Sequence, residues 1–377
     1  MADTNLICTV AIELSQSGWV IGTLAPRGTK VLINAVPGGD GLRLMEYLGR
    51  LKERLAEEFG EPVELKVCFE AGYDGFWLAR FLRDRGVEVY VLDASSFLVS
   101  RRGRRTKTDR TDVEAMAFTL QALLAGNSGV CRVVPVPTPE VEDAKRIGRE
   151  RTRLASERTR HVNRIRGLLA LHGIRRVRAL WGGDWRNQLD QLVTGDGRLL
   201  GRYLKAEISR EFERLHLVLS QIKVLEGERR QTLLDPASTF PDKSKVATLT
   251  KLAGVGELSA TLLVAEVFHR KFQNRRHLAS YLGLAPTPYA SGDMQRDQGI
   301  SKAGNKPART LLVEIAWTWM RHQPTSVLTT WYRRRFAESG ARNRKIGIIA
   351  MARKLAIALW HFVEQGVIPP GAVTNGR

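Results

Sequence analysis

Leu6-Ile-Cys-Thr-Val-Ala-Ile-Glu13 decides how the first part of this chain folds. The run is short and apolar and it ends on a carboxylate, which reads as a β-strand with an acid at its exit. Two further apolar runs follow, 18–24 and 30–35, bounded by Gly, Ser or Pro, and read as consecutive strands. From Leu42 to Glu58 the period changes to helical, with Leu44, Tyr47, Leu48, Leu51 and Leu55 on one side. Val63-Glu-Leu-Lys-Val-Cys-Phe69 returns to strand character and is followed by a second acid, Glu70. A helix over 75–85, a strand over 87–92 and a helix over 109–124 complete the pattern.

The order βββαβαβα across residues 1–130 is that of a ribonuclease-H-like α/β fold, a mixed sheet with helices against it. Residues 138–235 read differently. Glu140 to Leu171 is one long helical pattern, with Thr138 as its expected cap and Pro139 in its first turn. A second helical stretch carries Phe212, Leu215, Leu219 and Ile222, so the pair predicts an antiparallel coiled-coil hairpin. The segment between, with Trp181-Gly-Gly-Asp-Trp185 and Gly195-Asp-Gly197, reads as loop and turn. Residues 244–365 form a mostly helical third unit. It contains Leu249 to Phe268, Leu278 to Leu284, a loop at 286–305, a helix at 308–322 and a last helix at 343–363. The tail 366–377 reads as frayed.

Net charge bounds the partner. Over 377 residues the formal balance is +20, which points to a polyanion, nucleic acid before a membrane surface. No apolar run approaches the roughly 20 residues that a membrane span needs. Cys8, Cys68 and Cys131 are far apart, two of them inside strand runs, which suggests core thiols in a reducing cytosol and no thiolate zinc site.

Within that frame four acids stand out. Glu13 and Glu70 end strands, and Asp109 and Asp112 lie three apart where a helix opens, so those two face the same way. Each alone is equally well a cap or an ion-pair partner. Together they suit a pair of hard divalent ions, Mg2+ or Mn2+, of the kind that cleave phosphodiesters by clamping the attacking and leaving oxygens. Asp74, Asp93 and Glu114 are nearby alternatives, although a helix would turn Glu114 away from the Asp109–Asp112 face. Arg101, Arg102, Arg104, Arg105, Lys107 and Arg110 lead into the acidic pair and would grip a phosphate backbone, if they are more than a solvated basic loop.

Leu252-Ala-Gly-Val-Gly-Glu-Leu-Ser259 lies between two helical stretches. Gly254 and Gly256 permit a tight turn next to a helix N-terminus, the pattern of a phosphate-holding helix-hairpin-helix, though an ordinary turn between helices reads equally well. Further on, Lys302, Lys306, Arg309 and a helix opened by Pro307 would make an anion pocket. Ser291, in the preceding loop, could attack a phosphodiester beside such cations, but most loop serines only bond their own backbone. The histidines have no metal-ligand spacing. The tryptophans of the last region read as core, with base stacking open only to exposed ones.

Taken in order, Ala-Ile-Glu13-Leu-Ser, Phe-Glu70-Ala-Gly, Lys-Thr-Asp109-Arg-Thr-Asp112, Gly-Val-Gly-Glu-Leu-Ser-Ala, Tyr-Leu-Gly-Leu-Ala-Pro, Ala-Ser291-Gly and Ile-Ser-Lys-Ala-Gly-Asn-Lys resemble the DEDD transposases of bacterial insertion sequences. The resemblance runs over nearly the whole chain. It implies a RuvC-like nuclease domain, a coiled-coil domain and a C-terminal transposase domain in a bacterial cytosolic protein. It implies a recombinase guided by a structured bridge RNA that pairs with donor and target double-stranded DNA. The working unit would be a tetramer of two dimers, in which the acidic tetrad of one subunit joins the serine of another. Ser291 would be the nucleophile of a phosphoserine link, with Ser301 as runner-up. One residue departs from the family pattern: its first acid is usually aspartate, and here it is Glu13.

Two other functions compete. In a Holliday-junction-type endonuclease, metal-activated water would cut and Ser291 would be structural. In a catalytically decayed nucleic-acid-binding protein, the substitution at Glu13 would have cost the metal.

Overall fold

The computed structural model describes residues 6–72, 75–93, 96, 108–176, 183–291 and 294–375, with backbone only over 288–291 and 294–298. The chain divides into two compact units, Met1–Thr138 and Pro139–Arg377.

The first unit is built on five strands, β1 Leu6–Glu13, β2 Gly18–Leu24, β3 Leu32–Pro37, β4 Val63–Glu70 and β5 Glu88–Leu92. Their spatial order is β3-β2-β1-β4-β5. β2 is antiparallel to both of its neighbours, whereas β1, β4 and β5 are mutually parallel. Three helices, α1 Gly41–Phe59, α2 Trp77–Arg83 and α3 Asp109–Leu124, occupy the two faces. On one face Leu44, Leu48, Leu51 and Leu55 of α1 and Leu78 and Leu82 of α2 close over Val10, Ile12, Val67 and Phe69. On the other, Val113, Met116, Ala117 and Leu120 of α3 close over Ala11, Leu24, Cys68 and Leu92. Both sides of β1 are thus covered, which explains an apolar run without polar alternation. The mixed sheet with its helices fits the ribonuclease-H-like expectation.

The second unit is mostly helical. The long helices α4 Pro139–Ala170 and α6 Arg202–Leu234 run antiparallel. Arg151 pairs with Glu226 at 2.7 Å, His161 with Glu211 at 2.7 Å and Arg164 with Glu207 at 2.8 Å, so partners rise in one helix as they fall in the other. Burial opposes the Glu211 carboxylate, but His161, Arg214 and Arg164 outweigh it and hold the group below the usual carboxylate range. Trp185, expected in a loop, instead opens a short helix, α5 Trp185–Asp190, and stacks on Phe212 at 4.7 Å. Trp181 and Gly182 of that stretch lie outside the described residues.

Beyond α6 come α7 Lys243–Leu249, α8 Glu257–Leu263, a π-helical turn Val264–Phe268, α9 Arg275–Tyr281, strands β6 Pro286–Ser291 and β7 Met294–Ile300, and helices α10 Lys306–His322, α11 Val327–Phe336 and α12 Ala341–Gln365. Four expectations are corrected here. Most of the loop at 286–305 is an antiparallel hairpin, β6 on β7. Its strands lack apolar alternation, so periodicity could not reveal them, although two residues of type Gly-Asp between paired segments are a hairpin signal. Helix α11 was not anticipated. Its Val, Thr, Trp and Tyr residues are poor helix formers, and Ser326, which accepts from the Thr329 amide, is what starts it.

The tail is not frayed. The Ala253 amide donates to the Val373 carbonyl at 3.1 Å and the Asn375 amide to the Lys251 carbonyl at 2.6 Å. Gln323, with no exposed surface, donates Nε2 to the carbonyls of Ala253 at 2.9 Å and Val373 at 2.7 Å. By length and composition α12 could cross a bilayer, contrary to the sequence reading. Ile348, Met351, Leu355, Leu359 and Phe362 show its place instead: they lie in the main apolar cluster with Leu312, Ile315 and Trp319 of α10.

Candidate nuclease edge and serine hairpin

The pairing register places the first two acids. In the parallel pair β1–β4, Ile12 is level with Phe69, so Glu13 and Glu70 follow level with one another, on strands about 4.8 Å apart. Side chains alternate across a sheet, and Ala11 and Cys68, two residues earlier on each strand, face α3. Glu13 and Glu70 therefore share the α3 face. Their cross-strand neighbours Val20 and Leu92 pack on that same side.

Helix α3 brings the other two. The Thr9 hydroxyl donates to the Ala117 carbonyl at 3.3 Å, and Val113 lies over Gly22, the partner of Ala11 in the sheet. Stepping back along α3 from Ala117 to Val113 thus steps forward along β1 from Thr9 to Ala11, towards Glu13. Asp109 and Asp112 precede Val113 and Met116 by four residues each, so they extend the sheet-facing stripe by one turn, beyond the apolar contacts. Asp109 is exposed, and Asp112, Glu13 and Glu70 are partly buried. Thr108 fixes where the helix begins: its hydroxyl accepts from the Thr111 amide, and the Thr111 hydroxyl accepts in return from the Thr108 amide at 3.1 Å.

All four acids thus belong to one face and one end of the sheet, and all are oxygen donors, the type that suits hard divalent ions. Among the described residues, however, no three His, Cys, Asp or Glu side chains gather tightly enough to hold a metal ion. Of the alternatives, Glu114 pairs with Arg110 at 3.2 Å along the helix surface, away from the acid stripe, as its spacing implied. Asp93 lies just past the end of β5, where its amide donates to the Arg132 carbonyl at 2.9 Å. Asp74 lies outside the described residues, as do Arg101, Arg102, Arg104, Arg105 and Lys107. Cys8, Cys68 and Cys131 are buried, and burial pushes each thiol up, Cys8 to about 12.

In the second unit Ser291 ends β6, level with Met294. Helices α7 and α8 flank the turn at 252–256, with Gly254 at φ +85° where a Cβ would meet His322 at 3.0 Å. Two amides of that turn are already used, Ala253 by Val373 and Val255 by the Leu252 carbonyl at 3.1 Å. Gly256, at the start of α8, is open.

The anion pocket needs a similar correction. Lys302 and Lys306 are exposed, but Arg309 donates to the Leu282 carbonyl at 3.1 Å, and the Asn305 side chain accepts from the Ala308 amide at 3.0 Å. Part of the expected cationic surface therefore holds the chain itself together. Sequence reading also missed Glu266, a buried carboxylate in the apolar run Leu262-Leu-Val-Ala-Glu-Val-Phe268, where its isolation was the available signal.

A mixed sheet with its helices, followed by a mostly helical unit, fits a DEDD transposase. A model of such transposases matches residues 20–174, a span that includes Glu70, Asp109 and Asp112 but starts after Glu13. A model of the IS116/IS110/IS902 transposase family matches residues 246–330, from within α7 through the β6–β7 hairpin and α10. The chain belongs to this family of insertion-sequence transposases, enzymes that cut and rejoin DNA. It is 43% identical over 371 residues, 97% of its length and 93% of the relative's, to the putative transposase y4rJ of Sinorhizobium fredii. It is 28% identical over 265 residues, 70% of this chain and 68% of the other, to the transposase for insertion sequence element IS1111A of Coxiella burnetii. A probable family 20 transposase of Pseudomonas aeruginosa is 29% identical over 314 residues, 80% of this chain and 84% of the other.

Proposed function

We propose that the protein is an RNA-guided serine recombinase that moves its insertion sequence between double-stranded DNAs through a covalent phosphoserine intermediate. The observation that carries the nuclease half is the shared face and level of Glu13 and Glu70, extended by the Asp109–Asp112 stripe. Divalent ions bound there, Mg2+ or Mn2+, would supply charge neutralisation at the scissile phosphate. Glu13, Glu70, Asp109 and Asp112 would hold those ions. The Ser291 hydroxyl gives up its proton as its oxygen bonds to phosphorus, the phosphorus–oxygen bond to one DNA strand breaks, and the leaving oxygen takes a proton and departs as that strand's free hydroxyl. The hydroxyl of a second strand then displaces the serine oxygen, which takes back a proton. One ester replaces another at each step, so rejoining needs no external energy source.

Lys302 and Lys306 would stabilise the charge that develops on the phosphate. Gly254 and Gly256, with Arg101, Arg102, Arg104, Arg105, Lys107 and Arg110, would hold nucleic-acid backbone without reading sequence. Choice of site would come from a structured RNA paired to donor and target, which is consistent with a surplus of +20 charges and a chain that need not encode a target sequence. The acids and the serine belong to separate units, and we assign their meeting to a dimer or tetramer assembled on DNA.

The test is a protein–DNA adduct that survives denaturant, with plasmid carrying the element and Mg2+. Ser291→Ala is expected to abolish it while the unfolding transition is unchanged. DNA cutting that persists in this variant would favour the water-using endonuclease, and purification from the host without a discrete bound RNA would remove the guidance part of the reading.

A further inference from the structure

Glu266 lies in the π-helical turn after α8 and is only 4% exposed. Three elements close on it. Arg149 of α4 donates Nε to Oε1 at 2.8 Å and Nη2 to Oε2 at 3.2 Å, a two-pronged contact. Asn305, just before α10, donates Nδ2 to Oε2 at 2.9 Å and to the Tyr281 hydroxyl at 3.0 Å. Tyr281 in turn donates to the Glu266 carbonyl at 2.7 Å. Burial works against this carboxylate, but Arg149 and Asn305 outweigh it and keep it ionised.

Asn305 also anchors the exit of the serine hairpin. Its amide donates to the Tyr281 carbonyl at 2.8 Å, and its Oδ1 caps α10. Upstream, the Ser301 amide donates to the Ala285 carbonyl at 2.9 Å and the Lys302 amide to the Gly283 carbonyl at 3.1 Å. Lys302 adopts φ +58°, rare for a side chain of its kind. A Cβ at Gly304 would meet the Tyr281 carbonyl oxygen at 2.3 Å, and one at Gly283 the Ala303 carbonyl oxygen at 2.1 Å. The root of the hairpin therefore has no slack. A carboxylate buried against a cation seldom stabilises a fold more than apolar residues of the same shape would, and in some proteins such a group fixes one arrangement of the chain. A π-helical turn carrying such a group is a frequent mark of a functional position.

We infer that Glu266 is a positioning residue: clasped by Arg149 and Asn305, it fixes the root of the β6–β7 hairpin, and so the aim of Ser291, and it ties that aim to the long helix α4. This rests on Ser291 as the nucleophile, and the test separates the two claims. Full-length protein is purified from cells carrying the whole element and mixed with supercoiled element plasmid and Mg2+. Adduct yield, plasmid retention on a filter, and amide exchange over Met294–Asn305 are measured for wild type, Glu266→Gln, Arg149→Ala, the double variant and Arg151→Ala. Arg151 is the control, because it pairs with Glu226 of α6 instead.

Glu266→Gln and Arg149→Ala are each expected to lower adduct yield by at least about tenfold, since small misplacements of a reacting atom cost this much. Plasmid retention stays level, exchange at the hairpin root rises, the double variant is no worse than Glu266→Gln, and Arg151→Ala matches wild type. Wild-type exchange and yield in Arg149→Ala would overturn the proposal. So would equal losses in Arg149→Ala and Arg151→Ala with weaker plasmid retention, which would mark simple loss of basic surface. If Glu266→Gln does not fold, Arg149→Ala decides, because its side chain is half exposed. If wild type forms no adduct, the serine assignment falls, and exchange in Arg149→Ala still decides the clasp.

Discussion

Glu13 and Asp109 come from opposite ends of the first unit's chain and reach one face by different routes. Glu13 depends on the two-residue alternation of a strand and Asp109 on the turn of a helix, so each is fixed by its neighbours in sequence. Because all four acids would share the same ions, losing one should disable the set. Asp109→Asn is expected to weaken Mn2+ binding, followed by the electron-spin signal of free Mn2+, by at least about tenfold with little change in stability. Undiminished binding would detach Asp109 from the ion site. Residue by residue, Glu13 and Glu70 stand out because they end apolar runs, and Asp109 and Asp112 because they lie three apart where a helix opens. Glu266 was less so, since nothing in its neighbourhood names Arg149 or Asn305 as partners.

Among the elements, α3 matters most to the candidate site because its first residue is Asp109. Thr108→Ala removes a cap with reciprocal bonds and is expected to cost about 1 kcal/mol in chemical denaturation of the first unit. It should also lower adduct yield by fraying the turn that carries Asp109 and Asp112. At the serine hairpin the equivalent constraint is Gly304, at φ +103° and against the Tyr281 carbonyl. Gly304→Ala should destabilise the second unit by about 2 kcal/mol or more, because strain and overlap with backbone both apply. A variant as stable as wild type would contradict that close approach. Strands β1, β2, β4 and β5 and helices α1, α3, α4 and α10 could be read from periodicity. The pair β6–β7 and α11 could not, since their residues carry no sustained apolar pattern and their stability comes from what they pack against.

For the molecule as a whole, charge and burial make two further expectations. With +20 net charge, affinity for DNA should fall steeply as salt rises, in a log–log titration by filter retention. In the second unit, burial and then Lys145 depress the His269 imidazole to about 4 from its free value of 6.5. The unfolded chain therefore binds the proton first, and the contribution of neutral His269 is complete above pH 6.5 and is lost as pH falls towards about 4. Glu266 and Glu211, both held below the carboxylate range, add losses of the same sign at still lower pH. Calorimetry should show the unfolding temperature of this unit dropping through that window, and His269→Leu should flatten the drop between 6.5 and 4.

The order of strands and helices in the first unit, the basic surplus and the acids at the ends of runs were determined by sequence alone. They arise from period, length and composition, which act over a few residues. Whether Glu13 and Glu70 would share a face was decided only in the tertiary structure, since a one-residue shift of register between β1 and β4 would have put them out of step. The same holds for α3 running back over β1, for the tail closing on the turn before α8, and for the clasp of Arg149 and Asn305 on Glu266. Each joins residues distant along the chain, and only packing selects such partners.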